Sequence, residues 1–183
     1  MRKILLDNGL QEKRDYRIVE VQFPNMIPAL REKKVDLVGV VTPFSIEAHK
    51  DPNIRTLFTL KAAMGPAQTT LLAARAPYIA KNRAALVDFF EDWIRATRWY
   101  LDPANHDAAV KILCDFTKES PAVYNDWVFT KKDYYRDRDA KPNLAALQSN
   151  LKVQKDLGLL DIDIDIAKFT DLSVVEDAAR RIK

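Results

Sequence analysis

The side chains in this chain that could do chemistry are few, and their types favour binding over catalysis. Thr42-Pro43-Phe44 closes one apolar run, and Gln68, Thr69 and Thr70 open another. A threonine hydroxyl and a glutamine amide each donate and accept hydrogen bonds, and a phenylalanine ring supplies a stacking or apolar wall. Thr42, Phe44, Gln68 and Thr69 are therefore the candidate ligand-binding residues. For residues 68–70 a second reading stands beside this one, ordinary strand-end polar groups, because threonine suits strands.

Reactive side chains are sparser still. His49 and His106 are not placed by any motif to partner Cys114, which falls in the helical pattern AAVKILCDF and reads as a small apolar filler. Two histidines and one cysteine are too few for a zinc site of the favoured ligand types. The alternating acids DIDIDI of residues 161–166 lack the glycine and terminal glutamate of a calcium-binding EF-hand loop. A half-exposed connection with its isoleucines turned inward is expected there. Only four glycines occur, with no GxGxxG or GxxxxGK pattern, which argues against the usual nucleotide loops. No catalytic residue, metal or cofactor is assigned.

Composition sets the wider bounds. A chain of 183 residues, 48% hydrophobic and 30% charged, has the make-up of a soluble globular protein of one or two domains. Its net charge of +3 is interleaved along the sequence apart from short runs such as residues 31–34, which argues against nucleic acid as a partner. A single cysteine excludes an internal disulfide. After Met1-Arg2-Lys3 only Ile4, Leu5 and Leu6 precede Asp7, short of the roughly 7–15 apolar residues of a secretory signal core. No run approaches the ~18 residues of a membrane span.

The candidate residues must be positioned by the stretch 15–44, DYRIVEVQFPNMIPALREKKVDLVGVVTPF. It reads as one βαβ unit. A strand is predicted around Ile18, Val19 and Val21, then a short helix from Met26 to Glu32 capped by Asn25. The run LVGVV fits a second strand buried on both faces. Ligands of open α/β sheets bind beyond the carboxyl ends of strands, so the turn after Val41 is the first place for a site.

These residues also carry a resemblance. PALREKKVDLVGVVTPF resembles the stretch ending in Trp-Glu-Pro-Phe of the periplasmic solute-binding proteins of ABC importers, closest to the nitrate, sulfonate, taurine and thiamine-precursor group. The likeness continues through RTLFTLKAAMGPAQTTLLAARAPYIAKN and reaches FTDLSVVEDAARRI, similar to that group's last helix. It implies a type 2 periplasmic-binding-protein-like α/β fold, partial and two-lobed, with a helical C-terminal half. Residues 1–42 would belong to the second lobe, and residues 43–183 to the first lobe plus C-terminal helices. The N-terminal part of such a protein would be missing. The resemblance further implies a small-molecule solute, capture by hinged closure, a periplasmic location and an inner-membrane ABC permease as partner. Val41 and Thr42 stand where the family has tryptophan and glutamate, so solute specificity does not transfer.

Along the rest of the chain, a helix ending at Asn8-Gly9 is expected first. Short strands are expected over 54–60 and 68–74. A long helix follows from Asn82, with Leu86, Phe89, Phe90, Trp93, Ile94, Thr97, Tyr100 and Leu101 forming a wide core stripe that lies on a sheet. Asp102-Pro103 ends it. A helix through Ile112 comes next, then one begun by Ser120-Pro121, an exposed charged link over 131–142, and a helix from Leu144 to Leu157 stopped by Gly158. Ser173 and Glu176 fit a capping box on a final helix. Three other readings remain open. One is an enzyme like the fungal thiamine-pyrimidine synthases, and another is the effector domain of a transcription regulator. The third is an interaction module that pairs with another copy through an exposed sheet edge.

Overall fold

The computed structural model describes residues 1–182, the side chain of Glu47 excepted. Helix accounts for 52% of the chain and strand for 1%, and among the described residues no sheet forms. In chain order the helices are α1 (Arg2–Asp7), α2 (Phe23–Arg31), α3 (Phe44–Lys50), α4 (Leu60–Met64), α5 (Ala76–Lys81), α6 (Arg83–Tyr100), α7 (His106–Thr117), α8 (Leu144–Asp156) and α9 (Ser173–Arg181). Short 3-10 turns cover Pro103–Asn105, Pro121–Val123 and Ile166–Phe169.

The expected α/β, periplasmic-binding-protein-like fold is therefore corrected to a mostly helical one. The βαβ unit of 15–44 keeps its helix, α2, and loses both strands. β-Branched runs are competent to form strands, but a strand exists only as one side of a hydrogen-bonded ladder. Among the described residues, the stretches 17–21, 35–40, 55–58 and 69–74 exchange no backbone–backbone hydrogen bond with another segment. Glu12 and Tyr16 make an isolated bridge. The run 37–41, expected to be buried on both faces, has no buried residue, and Val41 is 48% exposed.

Two compact units form, Met1–Ala67 with Ala145–Ile164 and Gln68–Leu144 with Asp165–Lys183. In the first, Ile27 of α2, Ala48 of α3, Ala63 of α4 and Ala146 of α8 are the buried apolar residues. Pro24 lacks an N–H and suits a first helical turn, so α2 starts at Phe23 with Gln22 at the N-cap, ahead of the expected Asn25. At the start of α1 the Arg2 guanidinium donates to both Glu12 carboxylate oxygens, at 2.6 and 3.3 Å. Gly9 and Gly158 turn the chain at the ends of α1 and α8 with φ of +80° and +65°, as their sequence context implied.

In the second unit α6 packs on α9 rather than on a sheet. Val87, Ile94, Val174, Val175 and Ala178 form its core, with Leu86 and Phe90 partly buried beside them. A second cluster joins Val110 and Cys114 of α7 to Tyr124 and Val128. The helix expected after Ser120 is only a 3-10 turn, capped by Ser120 Oγ accepting from the Ala122 N–H at 3.3 Å, and it is followed by turns. The capping box at Ser173 does not form. Asp171 Oδ1 instead accepts both the N–H and the hydroxyl of Ser173. Asn82 likewise donates from its side chain back to Tyr78 O at 2.9 Å, closing α5 rather than capping α6.

Ion pairs tie α6 to α9. Arg83 donates to Asp177 and to Ser173 Oγ, and Arg181 donates to Asp88 at 2.7 Å. The hydrogen bond from Arg83, then that from Arg180, holds the Asp177 carboxyl below its ordinary 3.8. Ser173 does the same for Asp171. A carboxyl whose folded pKa is depressed contributes stability above its unfolded pKa and loses it as pH falls through the folded one. The thermal midpoint should therefore hold from neutrality to about pH 5 and fall below about pH 4. Because Asp177 is partly exposed, Asp177→Asn should flatten that acid limb only in part. A midpoint unchanged down to pH 2.5 or so would contradict these bonds.

Candidate functional site

The turn after Val41 joins an extended segment to α3, and α3 lies beside α2. Burial of Ile27 on α2 and Ala48 on α3 fixes the two helices and sets their first residues, Phe23 and Phe44, side by side. The two rings stack, with centroids 6.1 Å apart and planes 8° from parallel. Phe44 is half-buried and Phe23 is 44% exposed, so the pair offers one apolar face to a ligand. The Thr42 and Ser45 hydroxyls lie 3.3 Å apart on the same turn, and either oxygen can donate to the other. At the far end of α3, His49 Nε2 and Thr56 Oγ1 are 3.2 Å apart.

The opposite ends of α2 and α3 are tied together. Arg31 Nε, at the end of α2, donates to Asp51 Oδ2 at 2.9 Å, and Asp51 Oδ1 accepts from the Asn53 N–H at 3.0 Å. The Asn53 bonds, more than the Arg31 guanidinium, keep the Asp51 carboxyl below its usual value. An ionised Asp51 thus links the C-termini of α2 and α3.

Thr42 and Phe44 are thus together in the first unit. Gln68 and Thr69 belong to the second. Gln68 Oε1 accepts from the Asn143 N–H at 2.8 Å, and its Nε2 donates to Thr70 O at 2.8 Å. The amide works there as a brace for an extended segment. Thr69 is exposed. Phe23 and Ser45 are the residues of the turn that the sequence reading did not assign to ligand contact. The available signal was symmetry of context, since each phenylalanine adjoins a proline at a helix start.

Cys114 lies in α7, buried in the second apolar cluster, beside an open hollow of about 710 Å³. Lys111 and Asp115 line that hollow and pair with each other at 2.6 Å. His106 Nε2 faces Val128 O at 3.1 Å. Among the described residues no group of three or more His, Cys, Asp or Glu side chains could hold a metal ion. Along 161–166, Ile164 and Ile166 are half-buried, whereas Ile162 is 61% exposed and Asp163 pairs with Lys155. No helix of the described residues is long and apolar enough to cross a membrane.

A turn with a stacked aromatic pair and two hydroxyls is suited to contact with a small molecule. Residues 1–114 match the model of the NMT1-like family, and the chain belongs to that family. The family is associated with the substrate-binding proteins of ABC transporters, and its members are mostly solute-binding. No curated protein and no solved structure matches the chain.

Proposed function

We propose that this chain is the small-solute-binding component of an ABC importer, taking a sulfonate-, nitrate- or taurine-like solute or a related organic one. The observation that carries the reading is family membership over a span that contains the stacked Phe23–Phe44 pair and the Thr42–Ser45 hydroxyls. The rings supply an apolar wall for the body of the solute, and of the two paired hydroxyls one donates to the other while the second donates to a solute oxygen. Gln68 and Thr69 are assigned solute contact independently of that turn. Capture proceeds by closure, bound solute favouring a closed form of the chain over an open one. The chain works in the periplasm and delivers to an inner-membrane permease.

Thermal shift with taurine, nitrate, an alkanesulfonate and an aminopyrimidine tests this. A ligand at a hundred times its dissociation constant adds about 2.7 kcal/mol and raises the midpoint. Phe44→Ala and Thr42→Val should each weaken that ligand by about tenfold, equivalent to roughly 1.4 kcal/mol. Thr42→Val keeps the side-chain volume and separates lost binding from lost folding. No shift with any of the four compounds would overturn the reading.

A further inference from the structure

The two elements that build the Thr42–Phe44 turn are short of charge. Residues 21–30, VQFPNMIPAL, and 37–46, LVGVVTPFSI, contain no charged side chain, although 30% of the chain is charged. The basic residues of α2 and α3 fall in their last turns, away from the rings: Arg31, bonded to Asp51, on the one, and His49 and Lys50 on the other. In sequence, the charged residues next to the two rings are Glu20, three before Phe23, and Glu47, three after Phe44. Both are acidic.

Backbone donors are few as well. Pro24 and Pro43 have no N–H. The N–H groups of Asn25, Ser45 and Ile46 already donate to Gln22 O, Val41 O and Pro43 O, at 2.9, 3.1 and 3.0 Å. One hydroxyl hydrogen of the Thr42–Ser45 pair is left for a ligand, because the other lies in the bond between them. The faces of the rings are the negative side of their quadrupoles and repel an anion laid on them. An oxyanion placed here would give up its hydration for a single O–H, and one hydrogen bond does not offset that cost. A flat uncharged molecule loses far less hydration, covers the apolar face of the ring pair and needs just the one donor.

We infer that this turn selects a flat, uncharged aromatic or heteroaromatic solute with a hydrogen-bond acceptor on its rim, and discriminates against anions. This rests on the solute-binding reading and narrows its solute to the uncharged organic class. Phe23 and Phe44 are the platform, and Thr42 and Ser45 supply the donor. Charge selectivity then depends on the turn remaining free of a cation, so a lysine placed there reverses the preference.

Isothermal titration of the full chain at neutral pH tests this with two matched pairs, benzamide against benzoate and benzenesulfonamide against benzenesulfonate. The members of each pair share a shape and differ in charge. Each neutral member is expected to bind at least about tenfold more tightly than its anion, and Phe44→Ala to weaken it by a similar factor. Ser45→Lys should raise the affinity for benzenesulfonate at least about tenfold, a gain that a merely structural role does not produce. Gln22→Lys, at the exposed residue before Phe23, brings a cation to the same end of α2 without touching the hydroxyls, and should act in the same direction. Far-UV dichroism checks that each variant folds. Anions that bind as tightly as their neutral partners, and lose that binding with Phe44→Ala, would overturn the selectivity and leave the solute-binding reading standing. Neutral members whose binding ignores Phe44→Ala would overturn it too, as would folded lysine variants that gain nothing for benzenesulfonate. Binding of neither member of either pair would also overturn it. The shifts with taurine, nitrate, an alkanesulfonate and an aminopyrimidine then decide whether the solute-binding reading falls with it.

Discussion

Truncating Ile94 to alanine is expected to destabilise the α6–α9 unit by about 2–5 kcal/mol. Ile94 is the largest fully buried side chain among the described residues, at 0% exposure. It packs where Val87 of its own helix meets Val174, Val175 and Ala178 of α9. Ala178 is also fully buried, so α9 already lies close against α6 and cannot move in far to fill the void. The cost therefore combines lost apolar burial with a residual cavity. Urea unfolding followed by far-UV dichroism is the measurement. With a loss of about 3 kcal/mol and a slope near 2 kcal/mol per molar, the midpoint should fall by roughly 1.5 M. Trp93→Ala, on the half-exposed side of the same helix, should cost distinctly less. Equal losses at the two positions would mean that α6 is not buried on the side described.

Removing the Asp133 carboxylate should be the second large effect, about 1.5–3 kcal/mol for Asp133→Ala. The side chain is 1% exposed although it sits in a stretch dense with charge. Its two oxygens accept the Phe129 and Tyr134 N–H groups, each at 2.7 Å, and it pairs with Arg136. The guanidinium of Arg136 in turn lies 5.5 Å from the ring centres of both Phe129 and Tyr134. Phe129 holds φ at +58°, a left-handed conformation that a side chain with a Cβ adopts at a cost. The Asp133 bond to its N–H helps hold it there. Without the carboxylate, the Phe129 and Tyr134 N–H groups and an arginine lose their acceptor together. Asp133→Asn retains one acceptor oxygen and should fall between alanine and the native residue. Near-UV dichroism of the neighbouring Trp127 and Tyr134, which touch edge to face, reports the same loosening. A near-UV spectrum and urea midpoint unchanged by Asp133→Ala would remove Asp133 from this role.

The charged stretch 131–142 shows why pattern reading stops where it does. Its composition implies an exposed link, yet the Asp133 side chain is enclosed, and Asp139 accepts two hydrogen bonds from Arg98 of α6. Asp139 owes its place to a partner 41 residues away, whereas Asp133 is enclosed by its own neighbours Phe129, Tyr134 and Arg136. The stripe on α6 is a similar case. Its helical period was plain, and α6 spans the residues that the period implied. Yet one stripe divided into a buried side and an exposed side because its partner is another helix, narrower than the expected sheet.

What the sequence determined by itself is local. Gly9 and Gly158 ended α1 and α8 because their left-handed turns need no distant contact. The repeat of apolar residues placed α6, α7 and α8. Thr42 and Phe44 were recognisable as one turn since they are two residues apart. Tertiary structure decided whether the β-branched runs became strands, because ladder bonds come from another part of the chain and neither propensity nor apolar pattern supplies them. It also decided that Phe23 would stack on Phe44. Twenty residues separate the two rings, and only the packing of α2 beside α3 brings them together.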